Sequence, residues 1–277
     1  MANITAADVN KLRQITGSGM MDCKNALVEA NGDFDAAIDI LRKKGQKVAN
    51  KRADREASQG IVIAGTTADK SFAALILLSC ETDFVAKNEE FTTLAKNILD
   101  LAIASKPKSL DELKELSLNG ATVAENVTTM MGKTGEKTEL VTYEFIDAPR
   151  VFAYNHLGNK LASILGLNKG GESFDQLGHE LNMQVAAMGA VALDKEDVDQ
   201  AIVEREIEIG KEQARQEGKP EDMLEKIALG KLNKFYKEST LLNQDFVRDS
   251  KITVREYIAQ KDKELKVVTF KRRMIGA

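Results

Sequence analysis

A chain of 277 residues with 39 Lys plus Arg against 43 Asp plus Glu carries a formal charge of −4. That balance argues against a protein held to nucleic acid mainly by phosphate contacts, and the length suits two domains with a small third module. Apolar residues make up 43% and charged residues 30%, as in a folded core beneath a heavily charged surface. No apolar run reaches the roughly 18–20 residues of a membrane span, and no leader pattern opens the sequence, so neither a membrane nor export is expected. Cys23 and Cys80 are the only cysteines, which leaves no disulfide framework and makes a reducing cytoplasm the expected location.

Residues 1–45 read as a compact three-helix bundle. Thr5 and Asp8 have the spacing of a capping box, with Val9, Leu12 and Ile15 following at helical intervals. Gly17-Ser18-Gly19 stops that helix, a second runs from about Met20 to Ala30, and Asp33 caps a third that ends near Gly45. So small a unit has a thin core, and its outward Met and Leu positions suit a partner better than a substrate. Residues 46–57 are expected to form a basic linker helix, within a run from Arg42 to Arg55 whose only acid is Asp54. No aromatic residue is interleaved there, which favours a solvated linker over a nucleic-acid patch.

An internal repeat follows. Ile61–Ala64 and Phe72–Ser79 read as paired strands, then a helix carries Phe91, Leu94, Ala95 and Ile98 on one stripe. Val151–Tyr154 and Leu161–Leu167 repeat the strand pair, and Phe174, Leu177, Gly178 and Leu181 repeat the helix. The fold class is therefore α+β: a duplicated strand-strand-helix core with halves at 58–140 and 141–277. About Lys108–Met131, between the repeats, reads as short amphipathic helices. Residues of about 194–232 form a charged helical hairpin broken near Gly218-Lys219-Pro220, with a narrow seam of Ala201, Ile202, Ile209, Met223, Leu224 and Ile227. It reads equally well as a solvated hairpin and as an arm for dimerisation or docking. Val267–Phe270, followed by Lys271-Arg272-Arg273, reads as a last strand with a basic end.

Catalytic signatures fail in turn. Gly132-Lys133-Thr134 resembles the end of a phosphate-binding loop, but Val127 stands where its first glycine is needed. His179-Glu180 opens a zinc-protease pattern, yet Met183 occupies the second ligand's place. His156 and His179 are the only histidines, too few for a histidine-rich metal centre. No enzyme activity, cofactor or bound metal is expected.

The two repeats differ most where strand joins helix. The second has a plain turn, Asn168–Glu172; the first has Cys80-Glu81-Thr82-Asp83-Phe84-Val85-Ala86-Lys87-Asn88, an elaborated loop of the kind that carries function. Spacing alone favours Thr82 or Asp83 as an N-cap with Phe84 tucked into the core. The alternative has Phe84 wedging into a partner while Asp83 perturbs a polar or metal-bearing site there.

That loop, with Leu12-Arg13 and Thr16-Gly17-Ser18-Gly19-Met20-Met21-Asp22-Cys23-Lys24, resembles the bacterial translation elongation factor Ts family. Weaker pieces include Gln184-Val185-Ala186-Ala187, Gly218-Lys219-Pro220 and Phe246-Val247, so the likeness covers almost the whole chain in order. The resemblance implies a ubiquitin-associated-like bundle, a two-part core with an inserted helical arm, and guanine-nucleotide exchange on elongation factor Tu in its GDP-bound and nucleotide-free forms. It further implies that Thr82, Asp83, Phe84 and Val85 displace Mg²⁺ from the partner, and that Arg13, Met20, Met21 and Gln184 contact it. An RNA- or ribosome-associated protein using the basic segments is the competing reading.

Overall fold

The computed structural model describes residues 4–276; positions 1–3 of the expected bundle and position 277 of the second core half lie outside the described residues. Helix α1 (Ala6–Thr16) starts at the predicted capping box, where the Thr5 hydroxyl accepts from the Asp8 N–H and the Asp8 carboxylate accepts from the Thr5 N–H. Gly17 ends it in the left-handed region, at φ 65°, which costs glycine nothing. Helices α2 (Met20–Glu29) and α3 (Phe34–Lys51, capped by Asp33) close around Leu12, Cys23, Ala26, Leu27 and Ala37.

The first core half contains β1 (Gln59–Thr66), β2 (Phe72–Cys80), a single-turn α4 (Asp83–Ala86), α5 (Glu89–Ser105) and α6 (Leu110–Glu115). A small hairpin, β3 (Ser117–Leu118) and β4 (Ala121–Thr122), leads into α7 (Val123–Thr134) and β5 (Thr138–Asp147). The second half has β6 (Arg150–Asn155), β7 (Leu161–Leu167), α8 (Asp175–Met188) and the hairpin α9 (Gln200–Gln216) and α10 (Glu221–Ser239). It ends with β8 (Asp245–Phe246), β9 (Asp249–Thr253), α11 (Val254–Lys261) and β10 (Val267–Met274).

The sheets run β1-β2-β5 and β10-β7-β6, antiparallel throughout. Each half is thus strand, strand, helix and a returning third strand beside the second, a longer repeat than the predicted one. Residue alternation along β2 assigns its faces: Phe72, Ala74, Ile76 and Leu78 meet α5 and α7, while Ala73 and Leu75 meet the other sheet. The other sheet offers Val151, Ala162 and Ile164 to that seam and turns Phe152, Leu165 and Leu167 toward α8. The order helix, sheet, sheet, helix buries β2 and β7 on both faces, which is why they read as unbroken apolar runs. Asn155 seals the free edge of β1: its side-chain carbonyl accepts from the Ala64 N–H at 2.7 Å and its amide donates to the Ala64 carbonyl at 2.9 Å.

Several boundaries move. The third helix does not end at Gly45 but continues to Lys51, so Gln46–Lys51 of the expected linker belong to the bundle's own helix. Gly45 serves contact instead of termination. A Cβ on Gly132 of α7 would lie 3.0 Å from the Gly45 Cα, so the two helices cross there backbone to backbone and seat the bundle on the core. The division at 140/141 cuts through β5, which pairs with β2 and belongs to the first half. The arm extends to Ser239, and its seam differs in part from the predicted one. Leu224 is buried as expected and, with Ala228 and Leu232 of α10, packs on Gly210 and Ala214 of α9, whereas Ile202 and Ile227 are half-buried and Ala201, Ile209 and Met223 are exposed. Lys271–Arg273 lie within β10 instead of following it, and Arg273 pairs with Glu144 of β5 at 2.7 Å across the two halves. No helix among the described residues is long and apolar enough to cross a membrane.

Candidate functional site

Strand β2 ends at Cys80, and the chain turns through Glu81 and Thr82 into α4. Thr82 is extended (φ −122°, ψ 157°) and its hydroxyl accepts from the Val85 N–H at 3.4 Å, so it is the N-cap that its spacing predicts. Phe84 is not tucked into the core. It is 83% exposed, whereas Val85 packs against the first-half core and holds the turn down. Burying a phenylalanine stabilises a fold by roughly 1.5–3 kcal/mol. A turn that forgoes this while holding its neighbours in place has the form of a docking element. Beside it, Lys87 donates to the Asp83 carboxylate at 2.7 Å one helical turn away and holds its pKa below the usual carboxylate value.

The turn is braced from beneath by residues that sequence reasoning missed. Thr82 donates both its N–H and its hydroxyl to Glu136, at 3.0 and 2.8 Å. Glu81 accepts from Arg52 through both carboxylate oxygens at 2.8 Å and from the Lys137 N–H at 2.6 Å. Burial alone would raise the Glu81 pKa; the Lys137 N–H and the Arg52 guanidinium outweigh it and bring the carboxyl below its ordinary value. The Lys137 ammonium reaches the Ala53 carbonyl at 2.9 Å. Cys80, its thiol pKa pushed up to about 11 by burial and then by the Glu136 charge, donates to the Thr82 carbonyl at 3.1 Å. Three segments distant in sequence therefore meet: the end of α3, the end of β2 and the α7–β5 joint. Each holds charged residues of unremarkable local pattern, and no spacing rule pairs 52 with 81 or 82 with 136.

On the bundle, Arg13, Met20 and Met21 are exposed, with Ile15 and Val28 adding to the open apolar surface. The two groups of predicted contacts, turn and bundle, are linked through α3 and Arg52. Gln184 requires correction as a surface contact. It is 1% exposed, and its amide donates to the Gln244 side chain and the Asp245 carbonyl while its oxygen accepts from the Val247 N–H at 2.8 Å. Its imprint on the surface is indirect, through the 244–247 loop, whose Val247 is exposed. The basic run is partly committed within the fold, Lys44 to Asp22 and Arg52 to Glu81.

Among the described residues, no group of three or more His, Cys, Asp or Glu side chains could hold a metal ion. The groove of about 490 Å³ along β1 is lined by Thr92, Lys96, Asp100 and Asn155 among apolar neighbours, without a nucleophile beside a base. The geometry offers a presented side chain on a fixed turn.

Comparison with known proteins gives the family of the chain. The family described as Elongation factor TS matches residues 81–277. The Elongation factor Ts of Cytophaga hutchinsonii is 52% identical over 274 residues, covering 98% of this chain and 99% of the relative. That of Amoebophilus asiaticus is 50% identical over 275 residues, 99% of each, and that of Christiangramia forsetii 48% over 276 residues, 100% of each. With about half of its positions shared end to end with these relatives, the chain belongs to the elongation factor Ts family of protein biosynthesis.

Proposed function

We propose that this protein is a guanine-nucleotide exchange factor for elongation factor Tu, acting in the cytoplasm by binding and not by covalent chemistry. The observation that carries the reading is Phe84, an aromatic side chain 83% exposed on a capped and braced turn. In this reading Arg13, Met20 and Met21 grip the nucleotide-binding domain of the partner. The turn then enters beside the nucleotide, Phe84 supplies apolar contact energy, and Asp83 disturbs the ligands of the partner's Mg²⁺. Thr82 and Val85 anchor the turn.

The mechanism is linkage. If the factor binds nucleotide-free partner better than the GDP-bound form, GDP must weaken the factor's binding by the same free energy, typically about 1–3 kcal/mol for coupled sites. GTP then enters the emptied site. The measurement that tests this is the affinity of elongation factor Tu for GDP with and without a saturating amount of this chain. The expected result is weaker GDP binding matched by an equal loss of factor affinity in GDP. Equal GDP affinity in both cases would remove the reading, because a ligand without differential affinity shifts no equilibrium.

A further inference from the structure

We propose that Arg52 and Glu136 are positioning residues for exchange, fixing the Thr82–Val85 turn on the core and tying it to the long helix of the N-terminal bundle. The proposal rests on the exchange reading above and concerns how the same turn is controlled.

The Thr82 hydroxyl makes two bonds with opposite senses. It donates to Glu136 Oε1 at 2.8 Å and accepts from the Val85 N–H at 3.4 Å. Glu136 thereby sets the hydroxyl rotor so that its lone pair faces the first turn of α4, and its second oxygen holds the Thr82 N–H at 3.0 Å. Removing that carboxylate frees both the cap and the backbone just before Asp83 and Phe84. These are charge-assisted bonds, the stronger class.

Arg52 acts from the other side. It stands at the C-cap of α3, the helix that carries part of the bundle's core and crosses α7 at Gly45 and Gly132. From there its guanidinium engages both oxygens of Glu81, the residue immediately before Thr82, and Glu81 is only 16% exposed. The Lys137–Ala53 bond ties the same end of α3 to the α7–β5 joint that carries Glu136. Bundle and turn are therefore held in one spacing before any partner arrives. Once the bundle surface has gripped the partner, a wedge held at fixed separation has less ordering entropy to lose on entering the nucleotide site than one on a loose tether. The gain therefore falls on release and not on the grip.

A positioning role has a signature distinct from loss of fold or loss of contact. Arg52→Gln and Glu136→Gln, each checked for unchanged far-ultraviolet circular dichroism, are titrated against elongation factor Tu carrying fluorescent GDP. Each is expected to lower the maximal release rate about tenfold, the scale of a lost charge-assisted bond, with little change in half-saturating concentration. In a background that lacks both active side chains of the turn, Asp83→Ala with Phe84→Ala, neither substitution lowers the rate further, because both act through the turn. Additive losses in that background, unchanged maximal rates, or a shift confined to half-saturation would each overturn the positioning role. Failure of the unmodified chain to accelerate release would instead overturn the exchange reading itself. Amide exchange of the free protein gives an independent check: Glu136→Gln should deprotect the Val85 amide, and unaltered protection there contradicts the proposal.

Discussion

Thr82 gives both of its donors, the backbone N–H and the side-chain hydroxyl, to the single carboxylate of Glu136, 54 positions away in sequence. This pairing separates the first repeat's strand-to-helix joint from the second's. It joins a local cap to a long-range brace, so the loop is ordered although its largest apolar side chain lies outside the core.

The buried amide of Gln184 should matter to stability more than to partner contact. Gln184→Ala leaves the buried Gln244 side chain without its partner and removes the bonds to the Asp245 carbonyl and the Val247 N–H, at a cost of about 2 kcal/mol. Urea unfolding should show a lower midpoint with an unchanged slope. A variant as stable as the parent would mean that these groups find other partners.

The backbone crossing of α3 and α7 should tolerate no added carbon. Gly132→Ala places a methyl group 3.0 Å from the Gly45 Cα, and overpacking of this kind costs about 1–3 kcal/mol. That outweighs the roughly 0.5–1 kcal/mol that alanine gains over glycine inside a helix. Amide exchange should quicken along the second half of α3 while β2 stays protected. Equal protection in both elements would show that the crossing can widen freely.

Two glutamates should respond to acid in opposite directions. The folded-state pKa of Glu81 lies below its ordinary value of 4.5, so its contribution is complete above that value and is lost as the pH falls through the folded pKa. Burial raises the pKa of Glu144 despite Arg273 and Lys271, so the folded state takes up its proton earlier than the unfolded state and gains stability as the pH falls through that raised value. Melting temperatures between pH 7 and 3 should fall less steeply for Glu81→Gln than for the parent, and more steeply for Glu144→Gln. Parallel curves for all three would contradict the assignment.

Much of the scaffold was legible in the sequence because it follows from local chemistry. The Thr5–Asp8 box, the Asp33 cap and the stripe of Phe91, Leu94, Ala95 and Ile98 each lie within one or two helical turns. The duplicated strand pairs showed in their apolar runs, which double-sided burial explains. The strand Thr138–Asp147 was missed because its buried and exposed positions alternate irregularly across a register shift beside Leu77 and Leu78. Gly45 read as a stop because glycine commonly ends helices, whereas here the missing side chain admits another backbone. Thr82 as a cap was a local inference; the outward course of Phe84 and the support from Arg52 and Glu136 are tertiary facts. Gln184 illustrates the converse limit, since a polar side chain on a helix carries no local mark of being enclosed.

The account turns on Phe84, and stopped-flow release of fluorescent GDP from elongation factor Tu measures its part most directly. Because the ring is exposed, Phe84→Ala should change the stability of the free protein by no more than about 0.5 kcal/mol, as for other surface substitutions. At saturating factor, the account predicts that GDP release stimulated by Phe84→Ala falls about tenfold or more below that of the parent chain, as for loss of a central aromatic anchor. Stimulated release at the parent rate, from a variant that is folded and bound, would contradict it.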